Sequence, residues 1–236
     1  MNRPLYHLVR WGFQNVLWRG KVAGLDRLPA RGPAVLVANH LGSMGPIAVG
    51  ASVPGEFYSW IHSDVLDPAL APDYLRCDFV EPELHLRPPP SGWLASLITR
   101  IHVPLLRAVG GIPVYHTPEG LQQTLHITVD LLAEGNLVLI LPEDPRLPLD
   151  PRYAMRPFQK GFTRCGELFF ERTGGCLAFY PLAVRRTSRT LQVGEPVRYN
   201  PNIGPGAERL RLRSALENSI HAMLDQNGLA DPSPAM

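Results

Sequence analysis

The chain has 236 residues, of which 45% are apolar and 19% charged, and its formal net charge is +2. That length and composition describe one globular domain with a sizeable core, and they exclude a disordered or fibrous chain. So small a net charge singles out no polyanion, and no nucleic-acid-binding motif is present, so no nucleic acid is predicted as a partner.

The basic residues are nearly all arginine, with Lys21 and Lys160 the only lysines. Arginine suits bidentate contact with phosphate. Cys77, Cys165 and Cys176 are odd in number and form no Cys-x-x-Cys pair, which fits a reducing cytoplasm rather than a disulfide framework or a Cys-based zinc site. The His residues make no His-Glu-x-x-His arrangement, and no metal site is predicted.

Taken in order, residues 4–19 predict an amphipathic helix. Leu5, Leu8, Val9, Gly12, Phe13 and Val16 fall on one stripe at helical spacing, flanked by Trp11 and Trp18. Arg3, Arg10, Arg19 and Lys21 are basic, and no acidic residue precedes Asp26. Tryptophan and arginine beside an apolar stripe are the composition of a helix lying on anionic lipid; packing against the protein's own domain is the competing expectation. Arg10 and Arg19 interrupt the apolar N-terminus, so no signal peptide is read there. The stretch 33–55 lacks Lys, Arg, Asp and Glu, but its Gly, Pro, Asn and His residues make it a poor membrane span.

Residues 24–29 read as a connector. Ala34 to Ala38 predict a short buried strand, which ends in Asn39-His40 and a small-residue turn before a helix over 47–52. A second strand is expected over 57–61. Residues 67–90 hold Pro68, Pro72, Pro82 and Pro88 to Pro90, and read as a long irregular insertion of the kind that forms lids or binding loops. A helix rich in Leu and Ile is expected over 92–109, kinked at Pro104.

Residues 110–116 turn into a third strand. Thr117-Pro118-Glu119 carries a cap, a first-position proline and a first-turn acid, and so starts a helix ending at Gly135. Residues 137–141 predict a fourth strand. A helix over 161–173 closes at Gly174-Gly175, a fifth strand runs from Cys176 to Tyr180 and stops at Pro181, and Leu191 starts a sixth. A C-terminal helix spans about 205–226 with Gly228 as its stop. The alternation predicts an α/β fold with a largely parallel or mixed central sheet flanked by helices. The expected organisation is an N-terminal helix over 1–21, a single α/β domain over 22–228 and a disordered tail over 229–236.

Polar residues recur where apolar strands end: Asn39-His40, Tyr115-His116, and Glu143-Asp144-Pro145-Arg146. Ligands bind at the carboxyl ends of parallel strands. A His, a carboxylate and an Arg gathered there supply a base, an orienting group and an anion site. Structural roles compete at each position: a carbonyl-bonded loop histidine at His40, a turn cap at Glu143, and a solvated charge at Arg146.

In order and separation, these segments resemble the glycerophospholipid acyltransferase family, which includes the lysophosphatidic acid acyltransferases. Its first motif is Asn-His, four residues, then Asp; Asn39-His40 matches, and Gly45 stands in the Asp position. Gly111-Ile112-Pro113-Val114-Tyr115 matches the second motif, with His116 in place of Arg. Leu141-Pro142-Glu143-Asp144-Pro145-Arg146 keeps the Pro, Glu and Arg of the third, and Phe158-Gln159-Lys160-Gly161 fits the aromatic-x-Lys-Gly segment that follows. Phe179-Tyr180-Pro181-Leu182-Ala183-Val184 resembles the fourth. The likeness runs from about residue 22 to 200.

The resemblance implies direct acyl transfer from acyl-CoA or an acyl carrier protein, a donor substrate rather than a bound cofactor, to a hydroxyl of a lipid acceptor. His40 is then the general base with Glu143 beside it, and Asn39, Ser43, Tyr115, His116, Arg146 and Lys160 bind substrate. Arg152, Arg156, Lys160 and Arg164 are candidate contacts for the phosphates of the donor's pantetheine arm, with a solvated face as the competing expectation. The departures matter: loss of the orienting carboxylate's charge in a Ser-His-Asp triad lowers kcat about 10⁴-fold, roughly 5 kcal/mol of barrier. Glu56, Asp64 and Glu143 are possible substitutes. His116 in place of Arg points away from simple lysophosphatidic acid as acceptor. A non-catalytic lipid- or acyl-binding relative and a thioesterase-like hydrolase stay open. The expected location is cytoplasmic, peripheral on the inner face of the membrane.

Overall fold

The computed structural model describes residues 1–115 and 117–226. His116, the Gly228 helix stop and the expected tail over 229–236 lie outside the described residues. In chain order the elements are α1 (Arg3–Gly12), running on through a π-helical turn (Phe13–Leu17), β1 (Lys21–Ala23), β2 (Ala34–Ala38), α2 (Met44–Ser52), β3 (Phe57–His62), α3 (Ser63–Leu66), α4 (Ala71–Leu75) with a further π turn (Arg76–Val80), α5 (Glu81–Leu84), α6 (Pro90–Ala108), β4 (Gly111–Val114), α7 (Pro118–Ala133), β5 (Leu137–Ile140), α8 (Arg164–Thr173), β6 (Ala178–Arg185), β7 (Thr190–Val193), β8 (Val197–Arg198) and α9 (Pro205–Asp225). Contacts gather them into two compact units, residues 1–7 with 58–124, and 8–57 with the chain from 125 onward.

The larger unit is built on a mixed sheet in the order β1-β7-β6-β2-β5. β2 lies parallel to both neighbours, with Val37 opposite Ile140 on β5 and Pro181 on β6. Every residue of β2, β5 and β6 is buried, which is why these strands read as continuous apolar runs rather than alternating ones. β7 returns antiparallel to β6 after a tight turn, and β8 also pairs β6 antiparallel. Leu36, Val49, Leu139, Leu182 and Val193 belong to one buried cluster. A Leu36→Ala cavity in such a core costs about 2–5 kcal/mol.

Two expectations are corrected in this unit, and one strand is added. The fifth strand does not stop at Pro181: β6 continues through it to Arg185. On that edge β8 pairs Ala178 and Phe179, while β7 pairs from Leu182 onward. The proline thus falls in the gap where no ladder N–H is needed. Lys21–Ala23, ahead of the connector expected over 24–29, forms an unanticipated strand, β1, parallel to β7. Trp18, read as flanking an interfacial stripe, is buried and donates its indole N–H to Ser52 Oγ (3.1 Å). Leu8, Trp11, Val16 and Leu17 are exposed, and Gln14 ties the helix to the Ala51 carbonyl of α2 (2.8 Å).

The smaller unit holds the parallel pair β3 and β4 and the helices α3 to α6. Residues 67–90 were expected to be irregular, but short helices occupy much of the stretch. Pro72 and Pro82 sit in the first turn of α4 and α5, where proline's missing N–H is unneeded and its fixed φ favours helix. Leu75, Val80 and Ala95 form a small core beneath α6. Pro104 lies inside α6 without ending it. The Asn2 N–H donates to the Ala108 carbonyl at the end of α6 (2.7 Å).

Candidate functional site

β2 delivers Asn39 and His40 at its carboxyl end. Asn39 is fully buried, and its side-chain amide is satisfied at both ends by one residue of β6: Nδ2 donates to the Val184 carbonyl (2.9 Å) and Oδ1 accepts the Val184 N–H (2.7 Å). The expected substrate ligand is therefore a clamp between two strands. His40, the next residue, is exposed.

The turn that follows is fixed by backbone proximity. Leu41 and Gly42 take left-handed φ values of 45° and 60°. The Gly45 N–H donates to the His40 carbonyl (2.9 Å). A Cβ built on Gly45 would lie 2.0 Å from the His40 carbonyl oxygen and 2.7 Å from that of Asn39. Position 45, where the resembled motif carries Asp, has no room for a side chain in this backbone. Ser43 precedes α2 with an exposed side chain that makes no capping bond.

β5 leads into the second half of the site. Pro142 to Asp144 fold back against Pro157 to Gln159: the Asp144 N–H donates to the Pro157 carbonyl (2.9 Å) and the Gln159 N–H to the Pro142 carbonyl (2.8 Å). Glu217 of α9 accepts the Phe158 N–H from the other side. The third motif and the aromatic-x-Lys-Gly segment are thus two sides of one short antiparallel pairing.

Glu143 sits at its centre. Oε1 accepts the His40 peptide N–H (2.6 Å) and Oε2 accepts the Arg156 peptide N–H (2.9 Å). Burial pushes the Glu143 carboxyl above its ordinary value, opposed by those two N–H groups and the Arg156 charge. The carboxylate that reaches His40 therefore holds its main chain.

The neighbouring Asp144 behaves in the opposite way. Arg146 donates to it from Nε (2.8 Å), Nη2 (2.7 Å) and its peptide N–H (3.1 Å). The guanidinium bond holds the Asp144 carboxyl below its ordinary value. Arg146 itself is exposed, so an incoming anion would compete with Asp144 for the same fork.

The other expected contacts are more scattered. The Lys160 side chain is exposed, and its carbonyl accepts from the Thr163 hydroxyl (2.7 Å). Of the arginines expected near donor phosphates, Arg152 is paired with Asp225 of α9 (2.7 Å), and Arg156 reaches the Leu147 carbonyl (3.1 Å). Arg164 has a buried, unpartnered Nε. In the smaller unit, Tyr115 lines a cleft of about 440 Å³ with Ser63, Asp64, Asp67 and Arg107. Glu217 was not anticipated, and Arg156 was expected only as a charge near donor phosphates, not as a partner of Glu143. Arg156 enters through its peptide N–H, which carries no sequence signal, and Glu217 reads as one more charge on a solvated helix. Among the described residues no group of three His, Cys, Asp or Glu side chains gathers as a metal site.

The comparisons with known proteins give a fold. No family profile and no curated protein matches this sequence. Among solved structures, the chain is similar to the 1-acyl-sn-glycerophosphate (LPA) acyltransferase PlsC from Thermotoga maritima, with a TM-score of 0.56 and 16% identity over 95% of this chain and 78% of that one. A likeness at that identity shows a shared architecture: this is an α/β protein with the fold of that acyltransferase. Among the described residues no helix is long and apolar enough to cross a membrane.

Proposed function

We propose that this protein is an acyltransferase that moves a fatty acyl group from a thioester donor, acyl-CoA or an acyl carrier protein, to a hydroxyl of a lysophospholipid-like or other lipid acceptor. The observation that carries the reading is His40: it stands exposed at the carboxyl end of a central strand, with its main chain fixed by Glu143 from the adjacent strand end, in a fold shared with a lysophosphatidic acid acyltransferase.

His40 takes the proton from the acceptor hydroxyl as the oxygen attacks the thioester carbonyl. The tetrahedral intermediate then expels the thiolate, which takes that proton back from the imidazolium, leaving an ester and a free thiol. Arg146 receives an acidic group of the acceptor, exchanging Asp144 for it. Tyr115, His116, Ser43 and Lys160 remain proposed substrate contacts. The exposed Leu8, Trp11 and Val16 support a peripheral position of α1 on the inner leaflet. The donor is a substrate, and no cofactor is invoked.

Gly45 favours a second reading, a lipid- or acyl-binding protein without turnover, because no carboxylate at that position can hold the imidazole. The experiment that separates the two is mass-spectrometric detection of acyl transfer. Purified protein is given mixed acyl-CoA and acyl-carrier donors and a lipid extract, comparing wild type with His40→Ala. Product from wild type alone is the expected result, and its mass names the acceptor. Donor consumption without an acceptor marks a hydrolase. No product from folded, lipid-binding wild type favours the binding protein, and equal product from both proteins sinks the His40 mechanism.

A further inference from the structure

Helix α6 has two faces of unlike fate. Ser91, Ala95, Thr99 and Val103 recur every fourth residue and are buried. Trp93, Leu97 and Ile101 recur with the same period on the outside and are 77%, 58% and 69% exposed. Residues four apart stack along a helix, so these three side chains form one apolar ridge about two turns long, and the exposed Pro104 continues it. Exposed apolar residues are ordinary when scattered, whereas a contiguous ridge capped by tryptophan marks an interaction surface.

The charges around the ridge say what kind. Arg100 and Arg107 are exposed on α6, Arg87 precedes it, and residues 85–118 contain no Asp or Glu. His62 pairs with Asp64, and Arg76 with Asp73 and Glu81, in this unit, and none of these pairs involves Arg87, Arg100 or Arg107. Arg107 shares a cleft with Asp64 and Asp67, and Arg87 one with Glu81, but α6 itself carries no carboxylate, so a second copy docked through this face would bring the α6 arginines together. An anionic surface neutralises them, and an apolar ridge with tryptophan at one end and arginines alongside is the composition of an interfacial helix.

We propose that the Trp93–Leu97–Ile101 ridge of α6 docks on an anionic lipid leaflet, with the apolar side chains at the acyl boundary and the arginines among the headgroups. The ridge shares no residue with the apolar stripe read on α1, although α1 begins where α6 ends, at the Asn2–Ala108 bond. The inference does not depend on acyl transfer, and its readout is binding alone.

The test uses the full chain and sedimentation with vesicles of phosphatidylcholine, with or without phosphatidylglycerol. Wild type is expected to bind the phosphatidylglycerol vesicles. Trp93→Ser/Leu97→Ser/Ile101→Ser is expected to bind roughly tenfold or more weakly, with an unchanged melting curve because the changed residues are exposed. Arg100→Ala/Arg107→Ala is expected to lose much of the preference for phosphatidylglycerol and of the salt dependence. Brominated acyl chains should quench a component of tryptophan emission that Trp93→Phe removes. Leu8→Ser/Trp11→Ser/Val16→Ser tests α1 on its own, and residual binding that still quenches Trp93 supports the ridge. Vesicle binding by the α6 triple variant equal to wild type would overturn the proposal, as would failure of wild type to bind at all. Lipid-free self-association of wild type that the triple variant abolishes would overturn it in favour of a second copy.

Discussion

The two strand ends that meet at His40 are built by opposite means. After β2 the chain closes on itself through backbone contacts, with Gly45 pressed against the carbonyls of Asn39 and His40. After β5 it is held by carboxylates: Glu143 grips two peptide N–H groups, and Asp144 grips Arg146. One end leaves no space for a side chain, and the other depends on two. The comparison separates fixing the histidine's position, which Glu143 does through the main chain, from orienting its ring, which position 45 cannot do.

The largest expected effect tests whether that fixed position serves chemistry. His40→Ala should lower acyl transfer about 10²–10⁴-fold, the usual share of a general base. The urea midpoint should hardly move, because the bond to Glu143 comes from the main chain and survives the substitution. A large fall in stability with activity retained would make His40 a structural residue.

Next comes the closed turn. Gly45→Ala is expected to destabilise by about 1–3 kcal/mol, with Gly45→Asp at or beyond the upper end, since the added atoms would meet the backbone carbonyls of His40 and Asn39 and the turn itself must shift. Restoring the aspartate of the resembled motif is therefore expected to harm the protein rather than rescue it. Denaturant unfolding reads this directly, and a Gly45→Asp protein with the wild-type midpoint and greater activity would show that the turn opens.

Glu143→Gln sharpens the other side. The amide keeps one acceptor oxygen but presents an N–H₂ to the second peptide N–H, at a cost of about 1–3 kcal/mol. Its pH dependence has a definite sign. The folded carboxyl titrates above its ordinary 4.5, so between 4.5 and the raised value the folded state holds more protons than the unfolded one. Its contribution is fully present below 4.5 and is lost as pH rises through the folded value. Wild-type stability measured relative to Glu143→Gln should fall over that window, and a rise would contradict the assignment. Asp144, held low, contributes the reverse: stability present above its ordinary 3.8 and lost as pH falls through its folded value.

Much of this was legible in the sequence, and the failures share a cause. Strand-ending polar residues pointed to His40 and Glu143, and apolar runs marked β2 and β5 because both are buried on every residue. Asn39 was misread because its partner, Val184, lies 145 residues away. Local pattern says that an amide ends a strand, not which strand it clamps. Pro181 was read as a stop because proline breaks a ladder, and only the places where β7 and β8 begin and end reveal a gap that tolerates it. Trp18 looked interfacial by composition, and its burial follows from Ser52 of α2 standing within reach. The prolines of 67–90 read as breakers, whereas Pro72 and Pro82 occupy helix starts.

The smallest expected effect concerns Arg146, and it divides structure from substrate recognition. Its side chain is 81% exposed and its partner Asp144 lies two residues away, so Arg146→Ala breaks a pair within one loop and leaves the Asp144 bond to the residue-146 peptide N–H in place. Exposed pairs of this kind add little stability, and the melting curve at neutral pH should be close to wild type. Kinetics should respond only where the acceptor carries an acidic group: KM for such an acceptor rises about tenfold with kcat nearly unchanged, the mark of binding lost equally from ground and transition states. A neutral acceptor should show no change. Arg146→Lys keeps the charge but not the fork that bridges two oxygens, so it should recover part of the affinity. Equal KM values for wild type and Arg146→Ala with an acidic acceptor would confine Arg146 to its pair with Asp144, leaving His40, its main chain held by Glu143, as the one residue of this strand-end cluster proposed to meet substrate.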